Sequence, residues 1–236
     1  MQNTNKDSYI DLMGKRQLAI YFSGALLLIS LAAILVRGLS LGIDFTGGTL
    51  VEVKYPEAVE LAAVREALNK DGFSDAVVQH FGTSQDVLVR LAPQEGVKSS
   101  ELSNRAFHAM QSISADADLR RVEFVGPQVG DELTEQGGLA MLYALIGILI
   151  YVGLRFEYRF AVGSVIALVH DVLITIGFFA LFQVDFDLPV MAAVLAVIGY
   201  SLNDTIVVFD RIRENFRKIR KGDTIEIINT SINQTL

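Results

Sequence analysis

Two polar dipeptides interrupt long apolar stretches of this sequence, His170-Asp171 and Asn203-Asp204. A carboxylate near the centre of a bilayer costs about 2.5–3.5 kcal/mol on insertion scales, so such residues face a protein interior or a watery cavity. Burial favours the neutral form of a carboxyl group, and imidazole titrates near neutral pH. Groups of this kind take up a proton from one side of a membrane and release it to the other. We therefore predict a proton relay formed by Asp204, Asn203, Asp171 and His170.

The same polar residues have a second interpretation, in which they only hold helices together. Hydrogen bonds between membrane helices contribute about 0.6 kcal/mol each on average. We favour the relay for Asp204, whereas both interpretations stay open for His170 and Asp171. The small residues Gly199 and Ser201 are interpreted as sites of close helix packing.

Four nearly uncharged apolar stretches are the elements that would position these residues. Of the 236 residues, 51% are hydrophobic and only 20% are charged. This composition excludes a disordered chain, a collagen-like repeat and an ordinary soluble domain, and it predicts an α-helical polytopic membrane protein. A spanning helix needs about 20 mostly apolar residues. The predicted transmembrane helices are 18–36, 137–153, 160–182 and 188–209. We interpret the first of them, 18–36, as an uncleaved anchor.

Basic residues beside the apolar stretches predict their orientation, because short segments rich in lysine and arginine stay in the cytoplasm. The residues concerned are Lys15, Arg16, Arg155, Arg159 and the six lysines and arginines within 209–222. They place the N-terminus 1–17 and the segment 210–236 in the cytoplasm. The insert 37–136 then lies outside. It carries 9 basic and 16 acidic residues, so it accounts for the whole formal charge of −7.

The insert 37–136 has the pattern of a small α+β domain. Its strand-like and helix-like segments follow the order β-α-β-β-α-β, the split ferredoxin-like arrangement. The segments are a strand at 48–55, a helix from Pro56 to about Gly72, strands at 76–81 and 86–91, a helix at 99–114 and a strand at 119–125. His80 and His108 stand alone, without a nucleophile or a metal-ligand set, and the chain has no cysteine. We predict a non-enzymatic binding module, with a spacer or a dimerisation scaffold as alternatives.

The segment 210–236 combines a basic helix with the start of another. Residues 210–221 predict a basic helical face on the membrane surface, where anionic lipid headgroups attract it. The spacing of Asp223 and Glu226 predicts a capping pair that opens a new helix. That helix has no stop signal before Leu236. We expect the chain to be part of a longer protein.

Several strings in this sequence closely resemble those of the SecF family. They are Gly42-Ile-Asp-Phe-Thr-Gly-Gly48, Val122-Glu-Phe-Val-Gly-Pro-Gln-Val-Gly130, Leu168-Val-His-Asp171, Val197-Ile-Gly-Tyr-Ser-Leu-Asn-Asp-Thr-Ile-Val207 and Asp210-Arg-Ile-Arg-Glu-Asn-Phe-Arg217. The strings occur in order along nearly the whole chain. Together they are highly specific, although no single one would be.

The resemblance implies an accessory subunit of the bacterial Sec translocase, within the proton-driven RND superfamily. Such a subunit works with SecD beside the SecYEG channel, has YajC and YidC as further associates, and uses the proton-motive force to help draw preproteins out of the channel. Its implied location is the bacterial inner membrane, with a cytoplasmic N-terminus and a periplasmic insert. No enzymatic activity, metal, cofactor or nucleic acid is implied, and protons are the coupling ion.

The resemblance also implies specific roles for parts of this chain. Asp204 matches the membrane carboxylate implicated in proton transport, and the insert matches the smaller periplasmic domain of the family. The RND-type bundle of the family has six helices, so two are expected beyond Leu236, with a basic partner on the fifth. SecD is expected to supply the other helical set and its own carboxylate.

Two other functions stay open. One is a non-conducting structural scaffold of the translocon. The other is an RND-type exporter of small molecules or lipids, which the small, single insert disfavours because it leaves little room for a drug-binding region.

Overall fold

The computed structural model describes residues 9–94, 96–219 and 222–236. The first eight residues of the predicted segment 1–17, and Arg220 and Lys221 of the predicted basic helix, therefore lie outside the described residues. The chain divides into two compact units. The helical unit contains the residues up to Ser40 together with Met141–Leu236, and the sheet unit contains Leu41–Ala140.

Helices and strands follow one another along the chain as expected for a membrane bundle with an α+β insert. The helices are α1 (Arg16–Arg37), α2 (Ile43–Thr46), α3 (Leu61–Lys70), α4 (Ser99–Gln111), α5 (Pro127–Arg155), α6 (Tyr158–Phe182), α7 (Leu188–Lys218) and α8 (Thr224–Asn233). The strands are β1 (Gly48–Lys54), β2 (Val77–Phe81), β3 (Thr83–Leu91) and β4 (Asp118–Val125).

The sheet unit contains an antiparallel sheet of strand order β2-β3-β1-β4. Because β1 alternates along its length, Val51 and Val53 point to the face covered by α3 and α4, where both are fully buried. Val64 and Leu68 of α3 and Met110 of α4 complete this core. The predicted βαββαβ fold is confirmed.

A glycine-rich corner joins α2, β1 and the first turn of α5. Gly47 and Gly48 have φ angles of 68° and 129°, which a side chain would strain. A Cβ on Gly130 would lie 2.8 Å from the Gly47 nitrogen, so the two backbones touch. The Thr134 hydroxyl also donates to the Phe45 carbonyl at 3.2 Å. The glycines therefore allow α5 to begin directly against the strand that enters the sheet.

Two details of the insert differ from the sequence prediction. The helix predicted from Pro56 is α3, and it begins only at Leu61, because the Val59 amide donates to the Ser84 carbonyl and so does not enter a helix. The hairpin that was predicted to have a four-residue loop turns at Gly82 alone, whose φ of 75° suits a tight turn.

Within the described ranges, four helices are long and apolar enough to cross a membrane, namely α1, α5, α6 and α7. This confirms the predicted polytopic helical class. The predicted boundary between insert and second span at 136/137 is not a helix boundary, because α5 begins ten residues earlier, at Pro127. Proline is tolerated in a first helical turn, and the polar residues after it continue the helix. A charge-free stretch therefore locates the apolar part of α5 without locating its start.

Beyond residue 209 the fourth apolar helix continues without a break, so α7 ends only at Lys218. The next helix, α8, packs against this extension: Asn215 donates to Ser231 at 2.9 Å and to Gln234 at 3.0 Å. The helix ends at Asn233, and the Leu236 amide closes a final turn onto the Ile232 carbonyl.

Candidate functional site

The turn between α6 and α7 sets the register of the two helices that carry the polar dipeptides. Asp187 caps α7 by accepting the Val190 amide at 2.8 Å. Gln183 ends α6 in a left-handed conformation with φ of 52°. Its side-chain amide donates to the Gly38 carbonyl at 3.1 Å, which ties the turn to the end of α1.

Further hydrogen bonds fasten the same turn to the segment after α1. Arg37 donates to the Leu181 carbonyl at 2.7 Å. The Ser40 hydroxyl donates to Asp185 at 2.8 Å, and the Phe186 amide donates to the Ser40 carbonyl at 2.7 Å. Since charged and main-chain groups both take part, α1, α6 and α7 are held in one register at this end.

His170 and Asp171 lie midway along α6 and interact directly. His170 Nδ1 is 2.8 Å from Asp171 Oδ1. The Thr175 hydroxyl donates to the main-chain carbonyl of Asp171 at 2.7 Å, so it does not compete for the carboxylate. The two side chains are 30% and 36% exposed in the helical unit. They are thus open to water or to a further protein surface on one side.

Ser201 of α7 provides a second hydrogen-bond partner for this carboxylate. Its hydroxyl donates to Asp171 Oδ2, so each carboxylate oxygen has its own partner, one on α6 and one on α7. The sequence prediction treated Ser201 only as a small packing residue. No spacing within α7 points to this bond, because the partner of Ser201 lies on α6.

The second ring nitrogen of His170 is buried without a partner. Within the described residues, His170 Nε2 makes no hydrogen bond. A buried polar atom without a partner costs roughly 1–3 kcal/mol. In the tautomer whose Nδ1–H donates to Asp171, this nitrogen is an acceptor that a water molecule entering the bundle can bind.

Asn203 and Asp204 occupy a different position from the other two predicted residues. Both are exposed on α7, and within the described part of the chain no hydrogen bond or ion pair is assigned to them. The structure thus joins His170 to Asp171 but does not join either to Asp204. The predicted four-residue relay stays a prediction.

The basic end of α7 is anchored to the helices before it. Arg155, at the end of α5, pairs with Asp210, and Arg213 lies 3.2 Å from the same carboxylate. Phe209 packs edge-on against Phe156 with ring centres 6.1 Å apart. These contacts hold the α7 extension without involving Asp204.

Two family descriptions match this chain. "Protein export membrane protein SecD/SecF, C-terminal" covers residues 106–236, and "SecD/SecF GG Motif" covers residues 32–55. The second range includes Gly47 and Gly48 of the glycine-rich corner.

Curated relatives match over nearly the whole chain. The protein translocase subunit SecF of Vibrio alginolyticus is 50% identical over 96% of this chain and 72% of its own length. The subunit of the same name from Pseudomonas aeruginosa is 52% identical over 96% of this chain and 74% of its own. The one from Escherichia coli O157:H7 is 48% identical over 92% and 68%.

Solved structures are similar in fold. The crystal structure of SecDF, a translocon-associated membrane protein from Thermus thermophilus, superposes with a TM-score of 0.83 and 34% identity over 97% of this chain. SecDF in a super-membrane-facing form gives a TM-score of 0.64 and 33% identity. This chain spans 31% and 32% of those two SecDF chains.

Proposed function

This chain belongs to the SecD/SecF family of protein-export membrane proteins, as a SecF member, and on that basis we propose that it acts with SecD to couple the proton-motive force to protein export. In this role it is a transport subunit of the Sec translocase. Protons are the coupling ion, and the chain's own residues carry them.

The position of Asp204 carries the proposal. This carboxylate lies on α7, a helix long and apolar enough to cross a membrane, yet its side chain is exposed on the helical unit. An uncompensated carboxylate is costly in hydrocarbon, so water or another protein surface must cover it in the membrane. A carboxylate in such a place binds a proton when water reaches it from one side and loses the proton when water reaches it from the other.

SecD is the proposed cover for this face. The similar SecDF structures contain about three times the length of this chain, which leaves room for further helices beside α7. A positive or polar group on those helices would compensate the charge of Asp204. Loss of that charge on protonation weakens the attraction, so the helices rearrange when the proton binds.

The proposed orientation follows the basic residues at the helix ends. Lys15 precedes α1 and Arg16 is its first residue, and Arg155 pairs with Asp210 beside the basic end of α7. These groups lie on the cytoplasmic side of the bacterial inner membrane, where positive charge is retained and anionic lipids attract it. The sheet unit is then periplasmic and contacts the emerging preprotein.

The proposed cycle has three steps. Asp204 takes a proton from the periplasmic side, the helices rearrange, and the proton leaves toward the cytoplasm. Movement of the helices is passed to the periplasmic side, where the preprotein leaves the SecYEG channel with YajC and YidC nearby.

Replacement of Asp204 by Asn tests the proposal. Asp204→Asn keeps the size of the side chain and removes its titration, so we expect proton flux and proton-dependent export to be lost while assembly with SecD persists. The measurement is proton uptake and preprotein export by the full-length protein with SecD in membrane vesicles.

Asp223→Asn is the matched control. Asp223 precedes α8, is exposed and makes no side-chain cap hydrogen bond, so this variant should behave as the wild type. Normal export by Asp204→Asn would refute the proton-coupling role. Loss of assembly in Asp204→Asn would instead favour a structural scaffold.

A further inference from the structure

We infer that Ser201 is a positioning residue for a second proton-handling site, in which His170 receives a proton and passes it to Asp171. The inference rests on the proposed proton-driven function. We refer to His170, Asp171 and Ser201 as the α6–α7 triad. Its new element is the serine, because the hydroxyl connects the carboxylate to the helix that carries Asp204.

The geometry of the triad gives each atom a separate task. Asp171 Oδ1 lies 2.8 Å from His170 Nδ1, and Asp171 Oδ2 accepts the Ser201 hydroxyl. Among the described residues, Ser201 supplies the one assigned hydrogen bond to this carboxylate from another helix. A carboxylate held at both oxygens keeps Oδ1 in line with the imidazole, whereas one held only at Oδ1 is free to turn about its Cβ–Cγ bond.

The proton transfer balances within these residues. In the tautomer that donates from Nδ1 to the carboxylate, Nε2 is unprotonated and has no partner among the described residues. An incoming proton forms the Nε2–H bond. The Nδ1–H bond of His170 then breaks, and that proton forms an O–H bond at Asp171 Oδ1. The carboxylate becomes a neutral acid and the imidazole remains neutral in its other tautomer.

The serine also links this transfer to the position of α7. Residue 204 lies three positions after residue 201, a rise of about 4.5 Å along the same helix. A shift of α7 that accompanies protonation of Asp204 therefore moves the Ser201 hydroxyl relative to Asp171. Through this bond, the alignment of His170 with its carboxylate depends on the state of the fourth span.

Other titratable groups also lie on the helices packed around the triad. Among the described residues, α6 packs mainly against α1 and α7. The titratable residues on these three helices, besides His170 and Asp171, are Arg16, Tyr21 and Arg37 on α1, Tyr158 and Arg159 on α6, and Tyr200, Asp204, Asp210, Arg211, Arg213, Glu214, Arg217 and Lys218 on α7. Asp204 is the acid nearest in sequence to Ser201, so the test includes its variant.

The experiment compares Ser201→Ala, Ser201→Thr and Ser164→Ala in the full-length protein with SecD in proteoliposomes. Proton flux is measured over a series of pH values. We expect Ser201→Ala to lower the flux about tenfold and to displace its pH profile by about one unit, as for the loss of one hydrogen bond to a charged group. Ser201→Thr retains the hydroxyl and should restore both.

Ser164→Ala is the matched control, because Ser164 is buried on α6 and its hydroxyl has no partner among the described residues. It should leave flux and profile unchanged. The inference is overturned if Ser201→Ala behaves as the wild type, if its flux falls with no displacement of the profile, or if Ser201→Thr fails equally. Wild-type flux in Asp204→Asn would instead overturn the proposed function.

Discussion

Substitution of Gly177 by alanine should separate the first and third spans. Gly177 of α6 is buried against Ser30 of α1, which is only 6% exposed. A Cβ at position 177 would lie 2.2 Å from Ser30 Cβ, 2.4 Å from its Oγ and 2.6 Å from its Cα. Because the last of these is a backbone atom, no side-chain rotation relieves the overlap.

The size of the effect follows from these distances. Ordinary van der Waals contact begins at 3.4 Å, so α1 and α6 must move apart by about 1.2 Å. Overpacking of this kind costs about 1–3 kcal/mol, and a backbone clash belongs at the upper end. Alanine has a higher helix propensity than glycine, which offsets about 1 kcal/mol of this cost. We therefore expect Gly177→Ala to destabilise the protein by about 2 kcal/mol.

Thermal unfolding of the full-length protein in detergent measures the change. Gly24→Ala in α1 is the control, because a Cβ there meets no atom within 4 Å, and it should be neutral or slightly stabilising. Adding Ser30→Gly to Gly177→Ala removes the contacts with Cβ and Oγ but leaves the one with Cα, so rescue should be partial. Wild-type stability of Gly177→Ala would refute the packing argument, and so would complete rescue by Ser30→Gly.

Two further variants test packing elsewhere in the chain. Burial raises the pKa of Tyr55 to about 12 from 10.0, and its hydroxyl donates to the Met110 carbonyl. The neutral form of Tyr55 thus contributes its full stabilisation below pH 10, and this contribution is lost as the pH rises through about 12. Denaturant titrations at alkaline pH should show this loss in the wild type but not in Tyr55→Phe. Asn229→Ala should speed proteolysis of the N-terminal segment, because Asn229 accepts the Leu12 and Met13 amides at 3.0 and 3.2 Å and their loss costs roughly 1–3 kcal/mol. A control substitution at an exposed asparagine such as Asn69 should leave the rate unchanged.

The fold was predictable because each helix and strand has a local pattern in the sequence. Strand β1 alternates between the two faces of the sheet, and the apolar stretches are long enough to span a bilayer. Element ends were less predictable, because they depend on distant partners. The non-helical segment before Leu61 is held by the Val59–Ser84 hydrogen bond, and no sequence pattern near Val59 predicts this bond.

The candidate site was only partly predictable, and the reason is the register between helices. The sequence singled out Asp171 because a charge in an apolar stretch is conspicuous, but a serine is not. The pairing of Asp171 with Ser201 depends on where the α6–α7 turn places one helix against the other, and that turn is fixed by Gln183, Asp187 and contacts to α1. Sequence spacing within one helix cannot supply this information.

Asp204 shows the complementary case, in which the missing partner lies outside the helical unit. The carboxylate is exposed on a membrane-length helix, whereas Asp171 is satisfied within the same unit by His170 and Ser201. Two carboxylates on neighbouring helices therefore have different requirements: Asp171 is held by its own chain, and Asp204 needs a surface from elsewhere. If SecD supplies that surface, the effect of substitutions at Asp204 on stability should depend on SecD. The effect of Ser201→Ala on stability should persist without SecD, because its bond lies within this chain. Thermal unfolding of both variants with and without SecD separates the two, and an equal dependence on SecD would contradict this division.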